Sequence, residues 1–340
     1  MKSIRIYLLF FIGILFVGCS EDTMDKINEN VNDPLNVQSK FILTDVMTST
    51  SFSTTGADYA FYSSVYMEYN VGIWGQMYNA ETRVGEPISA TTYNNSWDGQ
   101  YANLYNLKQV INKCSEGGSE AGNFLNLGIA QILSAYQLAM LTDLMGDVPY
   151  KEALQPGVIF QPKLDKQQDL YTEVFRLLDE GIANLGKAAA HPFSIANLKG
   201  VQDLIYKGDK AKWLKAANGL KARYTLRLSL KNAKYDKVIE YANASFASAA
   251  EDFKYVYNGG SAVNPFSRFQ RDRDYFGASK SLKAKLDAFA DPRASKFFKP
   301  YTTGGALLFA DNGEPEQVQK KYSISTLTST TRPPRLMRYH

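Results

Sequence analysis

Residues 213–246 read WLKAANGLKARYTLRLSLKNAKYDKVIEYANASF. Trp213, Ala217, Leu220, Tyr224 and Leu228 recur at helical spacing and share one face, and Tyr235 to Phe246 makes a second, shorter amphipathic segment after a polar break. Two helices within 34 residues match the period of a tetratricopeptide hairpin, although Ser245 stands where that repeat prefers alanine. One hairpin cannot cover its own apolar face, so partner helices are required elsewhere in the chain.

Upstream segments supply the candidates. Tyr62, Val65, Tyr66, Tyr69 and Ile73 recur at i, i+3, i+4, i+7 and i+11, and Trp97, Tyr101, Leu104, Tyr105 and Ile111 follow a similar spacing. Leu125, Ile129, Ile132, Leu133, Tyr136 and Met140 belong to a stretch that is apolar nearly all round, as a central buried helix is. A fourth helix is predicted to open at Asp165, with Gln168 placed for a capping box and a stripe of Leu170, Val174, Leu177, Leu178 and Leu185. The pattern predicts a mostly α fold of tetratricopeptide-like hairpins over 37–250. Beyond Glu251, turn signals at Asn258-Gly259-Gly260, Asn264-Pro265, Asp291-Pro292, Gly304-Gly305 and Asn312-Gly313 predict an irregular, loop-rich layer over 251–340. A single helix, Ser279 to Ala290, is expected to interrupt it.

The N-terminus fixes an address. Lys2 and Arg5 precede an apolar run from Ile6 to Phe16, and Val17-Gly18 leads into Cys19. This is the layout of a signal peptide over 1–18 ending in a lipobox, so lipidation is expected at Cys19. The apolar run is shorter than the roughly 20 residues a spanning helix needs. The polar stretch 19–36 reads as a tether. Thirty-eight basic and 34 acidic residues give +4, a surplus halved by loss of Lys2 and Arg5, and no basic cluster marks a nucleic-acid partner. Cys114 is the other of two cysteines and, at the end of a helical stripe, reads as a small hydrophobe.

Four features, in order, resemble the SusD/RagB family in its SusD-like_2 branch. They are the lipobox with Ser20-Glu21-Asp22, the run Met145-Gly-Asp-Val-Pro-Tyr-Lys-Glu-Ala-Leu154, the helix start Asp165 to Tyr171, and Leu286-Asp-Ala-Phe-Ala-Asp-Pro-Arg293. The acidic trio itself resembles the export signal that sends lipoproteins to the outer face of the outer membrane. The resemblance implies a surface lipoprotein on tetratricopeptide-like helix pairs, tethered at Cys19 as by a hinge. Such a protein caps a SusC-like TonB-dependent transporter and passes it glycans or peptides. Family members are typically longer, and Arg332 to Tyr339 resembles the approach to a further helix, so a truncated chain is expected.

Chemistry is sparse. His191 precedes Pro192 and His340 is the last residue, so a nucleophile–histidine arrangement has almost no material, and neither a zinc set nor a Walker loop is present. Asp311-Asn312-Gly313-Glu314 lacks the length of a calcium loop and reads as a turn. No enzyme, cofactor or metal is expected. A surface glycoside hydrolase using paired carboxylates and a lipid-anchored scaffold in envelope assembly stay open as alternatives. Trp97 and Trp213 fall on core stripes, whereas Trp74 lies between Gly72 and Gly75 where a helix is expected to end. Trp74 with Gln76, Tyr78, Asn79 and Arg83 is the first candidate ligand face. The second is the charged, aromatic segment Arg268 to Tyr275, read as a loop, with Arg268, Phe269, Arg271, Asp272 and Tyr275 as its contacts.

Overall fold

The computed structural model describes residues 37–84, 92–197, 202–314, 317–325 and 335–337. The signal peptide expected over 1–18, the lipidation expected at Cys19, the acidic trio and the tether expected over 19–36 lie outside the described residues. The chain falls into two units, Met1–Gln38 and Ser39–His340, with every described helix and strand in the second.

Helix α1 (Ser39–Ser49) opens with its first N–H met from a distance: the buried Glu120 carboxylate accepts from the Ser39 backbone N–H (2.7 Å) and hydroxyl (2.5 Å). A wide turn, Thr50–Thr54, leads to α2 (Asp58–Tyr66). The stripe expected to run from Tyr62 to Ile73 stops there. Glu68 takes a left-handed conformation (φ 56°), strand β1 (Asn70–Gly72) follows, and a new helix α3 (Gly75–Thr82) begins after Trp74. The reason is non-local: β1 pairs with a strand some 200 residues away, and those hydrogen bonds replace helical ones.

Helix α4 (Asn94–Cys114) is confirmed, and Leu104 of the expected stripe is buried, but the rest of its buried face is Ser96, Gln100, Asn103, Leu107, Val110 and Cys114, spaced four and three in turn. Trp97 and Tyr101 only flank it, packing partly buried against the core margin, and Tyr105 is exposed. Burial pushes the Cys114 thiol up to about 12, in keeping with an inert core position.

Helix α5 (Phe124–Met145) is buried from Leu125 to Ala139 on every side. It is long and apolar enough to cross a membrane, yet 89% of its apolar window is inside the protein, so it is the central core helix. Against it packs α6 (Gln167–Lys187), which crosses at Gly128 and Gly181. A Cβ on Gly128 would stand 2.9 Å from the Gly181 carbonyl oxygen, and one on Gly181 3.1 Å from that of Gly128. The predicted capping box does not form. Asp165 instead accepts from the Tyr150 and Lys151 N–H groups (both 2.9 Å), and α6 starts two residues later.

The 213–246 hairpin consists of α7 (Lys210–Arg227) and α8 (Tyr235–Asn243). Asp209 caps α7 by accepting from Ala211 N–H (3.0 Å) and Lys212 N–H (3.3 Å). Trp213 is fully buried, edge-on to Tyr206 and Phe253. Every residue of α8 is at least partly exposed, with Tyr235 and Ile239 more than half so.

The described residues of 251–340 hold more order than the turn signals suggest. After β2 (Phe253–Lys254) come α9 (Pro265–Arg273), β3 (Phe276–Ala278), α10 (Lys280–Ala288), α11 (Ala294–Phe297), β4 (Phe298–Lys299), β5 (Ile324–Ser325) and β6 (Arg335–Met337). β1 pairs with β3, β2 with β6 and β4 with β5, all antiparallel. Helix α10 is the one foreseen from Ser279, whose hydroxyl caps it by accepting from Leu282 N–H (3.2 Å). Helix α9 corrects the loop reading of Arg268 to Tyr275. Asn264 accepts from Ser267 N–H (3.0 Å) as N-cap and Pro265 takes the first turn, a start signal hidden among so many turn dipeptides.

Candidate functional site

The β1–β3 pair brings the two candidate segments together. Asn70, Val71 and Gly72 face Ala278, Gly277 and Phe276, and Ile73 N–H continues the ladder to the Tyr275 carbonyl (2.9 Å). Trp74 therefore emerges beside Tyr275. Gly75 makes the approach possible: its φ is +54°, and a Cβ there would lie 2.6 Å from the Tyr275 ring.

Behind this edge an aromatic cluster fixes α9. The Phe61 ring meets Phe269 at 4.7 Å and Phe266 at 5.1 Å, and Phe266 meets Phe276 at 4.8 Å. Gln270, buried beneath, ties the end of α9 to β3. Its Nε2 donates to Asp274 Oδ1 (2.8 Å) and the Phe276 carbonyl (3.0 Å), and its Oε1 accepts from Phe276 N–H (3.1 Å). Asp274 closes the helix in a left-handed conformation (φ 55°). Burial raises its carboxyl above the usual range, partly offset by the bond it accepts from Lys320 N–H (2.5 Å).

The result is a cavity of about 710 Å³. Trp74, Phe61, Phe269 and Tyr275 give it rings; Arg268, Asp272, Arg273 and Gln319 give it polar groups, and Pro265 completes the lining. Trp74 keeps 38% of its surface exposed. The Arg273 guanidinium lies 5.5 Å from the Phe269 ring centre and 5.8 Å from that of Tyr275. Asp272 accepts from Arg271 Nε (2.8 Å) and pairs with Arg268 Nε (3.5 Å); the Arg271 bond holds its carboxyl below the usual range. A second cavity of about 510 Å³ lies along the other flank of α9, lined by Arg268, Arg271, Pro265 and the Gly259-Gly260-Ser261 turn.

Of the residues expected from sequence, Trp74, Arg268, Phe269, Asp272 and Tyr275 share the first cavity, and Arg271 lines the second. Gln76, Tyr78, Asn79 and Arg83 do not line either. They sit along α3 and its end, where Arg83 takes a left-handed C-cap conformation with its guanidinium 4.0 Å from the Tyr66 ring centre. Sequence reading missed Phe61, Pro265, Arg273 and Gln319. Two of these were recoverable in principle: once 265–273 is read as a helix, positions 265, 268, 269, 272 and 273 form one face, which selects Pro265 and Arg273 and sets Arg271 aside. Gln319 carries no local signal; it arrives by donating to the Arg273 carbonyl (2.8 Å). Among the described residues no cluster of three metal-ligating side chains occurs. His191 Nδ1 accepts from Phe193 N–H (3.2 Å).

Comparison with known proteins agrees with this architecture. A SusD/RagB family protein from Bacteroides thetaiotaomicron superposes with a TM-score of 0.80 at 41% identity, covering 89% of this chain and 65% of that one. A SusD-like protein from the same organism gives 0.69 at 21% identity over 88% of this chain and 62% of that one. A chitin-binding SusD homolog from Flavobacterium johnsoniae gives 0.63 at 19%, over 84% and 60%, and at such identities these last two report the fold alone. The chain thus spans somewhat under two thirds of the length of these structures. No protein of curated function matches it. The family model SusD-like_2, described as starch-binding and associating with the outer membrane, matches residues 31–339. With that match across nearly the whole chain, a helical scaffold of the same fold and 41% identity to a SusD/RagB structure, the chain belongs to the SusD-like_2 family.

Proposed function

We propose that this protein captures an oligosaccharide or a peptide in the Trp74 cavity, at the outer face of the outer membrane, and delivers it to a SusC-like TonB-dependent transporter. Lipid on Cys19 and the stretch 19–36 tether it there, and closure over the transporter traps the ligand. Capture is non-catalytic in this reading.

One observation carries the reading: an indole left 38% exposed at a cavity whose other lining groups are rings, guanidinium donors, a carboxylate and an amide. Exposed aromatic surface is stabilised when a ligand covers it. A pyranose ring offers a face of C–H groups to stack on Trp74 and Tyr275, and a rim of hydroxyls that Arg268, Asp272, Arg273 and Gln319 bond. A volume of about 710 Å³ lies within the range of small-ligand sites.

The test is Trp74→Ala in the full chain, titrated calorimetrically with maltoheptaose, chitohexaose and octagalacturonate. Affinity for whichever sugar the parent binds is expected to fall about tenfold or more, as for a central aromatic anchor, with unchanged circular dichroism. Equal affinity in the variant refutes the site.

A further inference from the structure

The charge of the two cavities is lopsided. Arg268, Arg271 and Arg273 all project from one nine-residue helix, α9, while Asp272 is the acidic residue among the described residues lining either cavity. Asp272 is shared by Arg268 and Arg271 and balances about one charge. Arg273 rests over the Phe269 and Tyr275 rings, contacts that hold a cation without neutralising it. Asp274 is buried behind the wall, committed to Gln270 and to Lys320 N–H. About two positive charges are therefore left over across the two cavities. Arg268 and Arg271, three residues apart on one helix, repel and carry a cost to folding that Asp272 only partly offsets.

From this surplus we infer that the ligand is an anionic oligosaccharide, one bearing carboxylate or sulfate groups, rather than a neutral glucan; the inference rests on the capture reading of the Trp74 cavity. Trp74 and Tyr275 stack sugar faces in the first cavity. Arg273 meets an anionic substituent there, and Arg268, common to both cavities, passes the chain along the flank of α9 to Arg271. Guanidinium groups suit the role because their paired N–H groups match the paired oxygens of carboxylate and sulfate.

The experiment titrates the full chain with octagalacturonate, a heparin-derived octasaccharide, maltoheptaose and hexaglutamate at 50 and 500 mM NaCl. An anionic sugar is expected to bind at least about tenfold tighter than maltoheptaose at low salt and to lose most of that margin at high salt. The carboxylated and sulfated probes separate the two kinds of anionic group. Arg268→Gln and Arg273→Gln should each weaken the anionic sugar about three- to fivefold more than they weaken maltoheptaose, because the glutamine amide can still donate to a hydroxyl but no longer carries the charge, whereas Trp74→Ala weakens both sugars. Maltoheptaose binding as tightly as the anionic sugars, or an anionic affinity indifferent to both arginine variants, overturns the inference while a Trp74 effect keeps the capture site. Hexaglutamate matching the sugars overturns the glycan class. Indifference to Trp74→Ala, with the arginines still effective, instead removes the capture site itself.

Discussion

Replacing Trp213 by phenylalanine removes one hydrogen bond from a carboxylate that has no access to water. Asp203 is fully buried and uses all four of its lone-pair directions: Oδ1 accepts from Ile205 and Tyr206 N–H (both 2.9 Å), and Oδ2 from Gly208 N–H and Trp213 Nε1 (both 2.8 Å). Phenylalanine retains most of the ring contacts with Tyr206 and Phe253, so the loss has two parts. An unmade bond to a charged acceptor costs about 1.5–3 kcal/mol, and the volume of the missing ring portion about 1–2 kcal/mol. Together they predict a loss of about 2.5–5 kcal/mol, measured by urea unfolding followed by far-UV circular dichroism rather than by tryptophan emission. Asp203→Asn attacks the same bonds from the other side, since its amide nitrogen would face two N–H donors. The double variant should therefore fall short of the summed losses by about 1–2 kcal/mol. A Trp213→Phe loss below about 1 kcal/mol, or strict additivity with Asp203→Asn, refutes the claim that this bond anchors the hairpin.

Gly75→Ala forces a Cβ against the Tyr275 ring at a φ of +54° and should cost about 1–2 kcal/mol; the Trp74–Tyr275 edge is displaced, and sugar affinity measured by calorimetry falls with it. In a Cys19→Ala background Cys114 is the remaining thiol, and at pH 8 about one part in ten thousand of it is thiolate when its pKa is about 12, so Ellman's reagent should label it only on unfolding. Because that value is raised from 9.0, the stabilisation it represents is complete below pH 9 and is lost as pH rises towards 12, which an alkaline unfolding series reads out. Ile239→Ser, on the exposed side of α8, should change stability by less than about 0.5 kcal/mol in the same urea assay, against several for core positions.

The family's helices were legible because helical periodicity is a local property. The all-apolar run 124–145, the stripe of α6 and the 34-residue hairpin each follow from spacing within one segment. Most departures lie where a distant partner decides the outcome. The helix expected through Ile73 ends at Tyr66 because β1 finds β3, and the aromatic residues chosen as the face of α4 flank a buried row that includes Ser96, Gln100 and Asn103, polar residues no hydropathy count selects. Asp165 went to the 150–151 turn instead of capping α6. Helix α9 was the costliest miss, for it carried a legible start at Asn264-Pro265, and reading it as a loop left no face by which to choose among its arginines.

For the candidate site the same division holds. Composition and motif order by themselves determined a mostly helical member of the SusD-like lineage, a chain poor in histidine, and two segments rich in aromatic and charged residues. Only tertiary structure decided that Trp74 and the segment 268–275 share one cavity, that Gln76, Tyr78, Asn79 and Arg83 stand outside it, and that Gln319 enters from the far end of the chain. The physical reason is range: a helix face is set by bonds four residues apart, whereas a cavity is set by strand pairing and ring packing between residues some 200 apart, which no local pattern records.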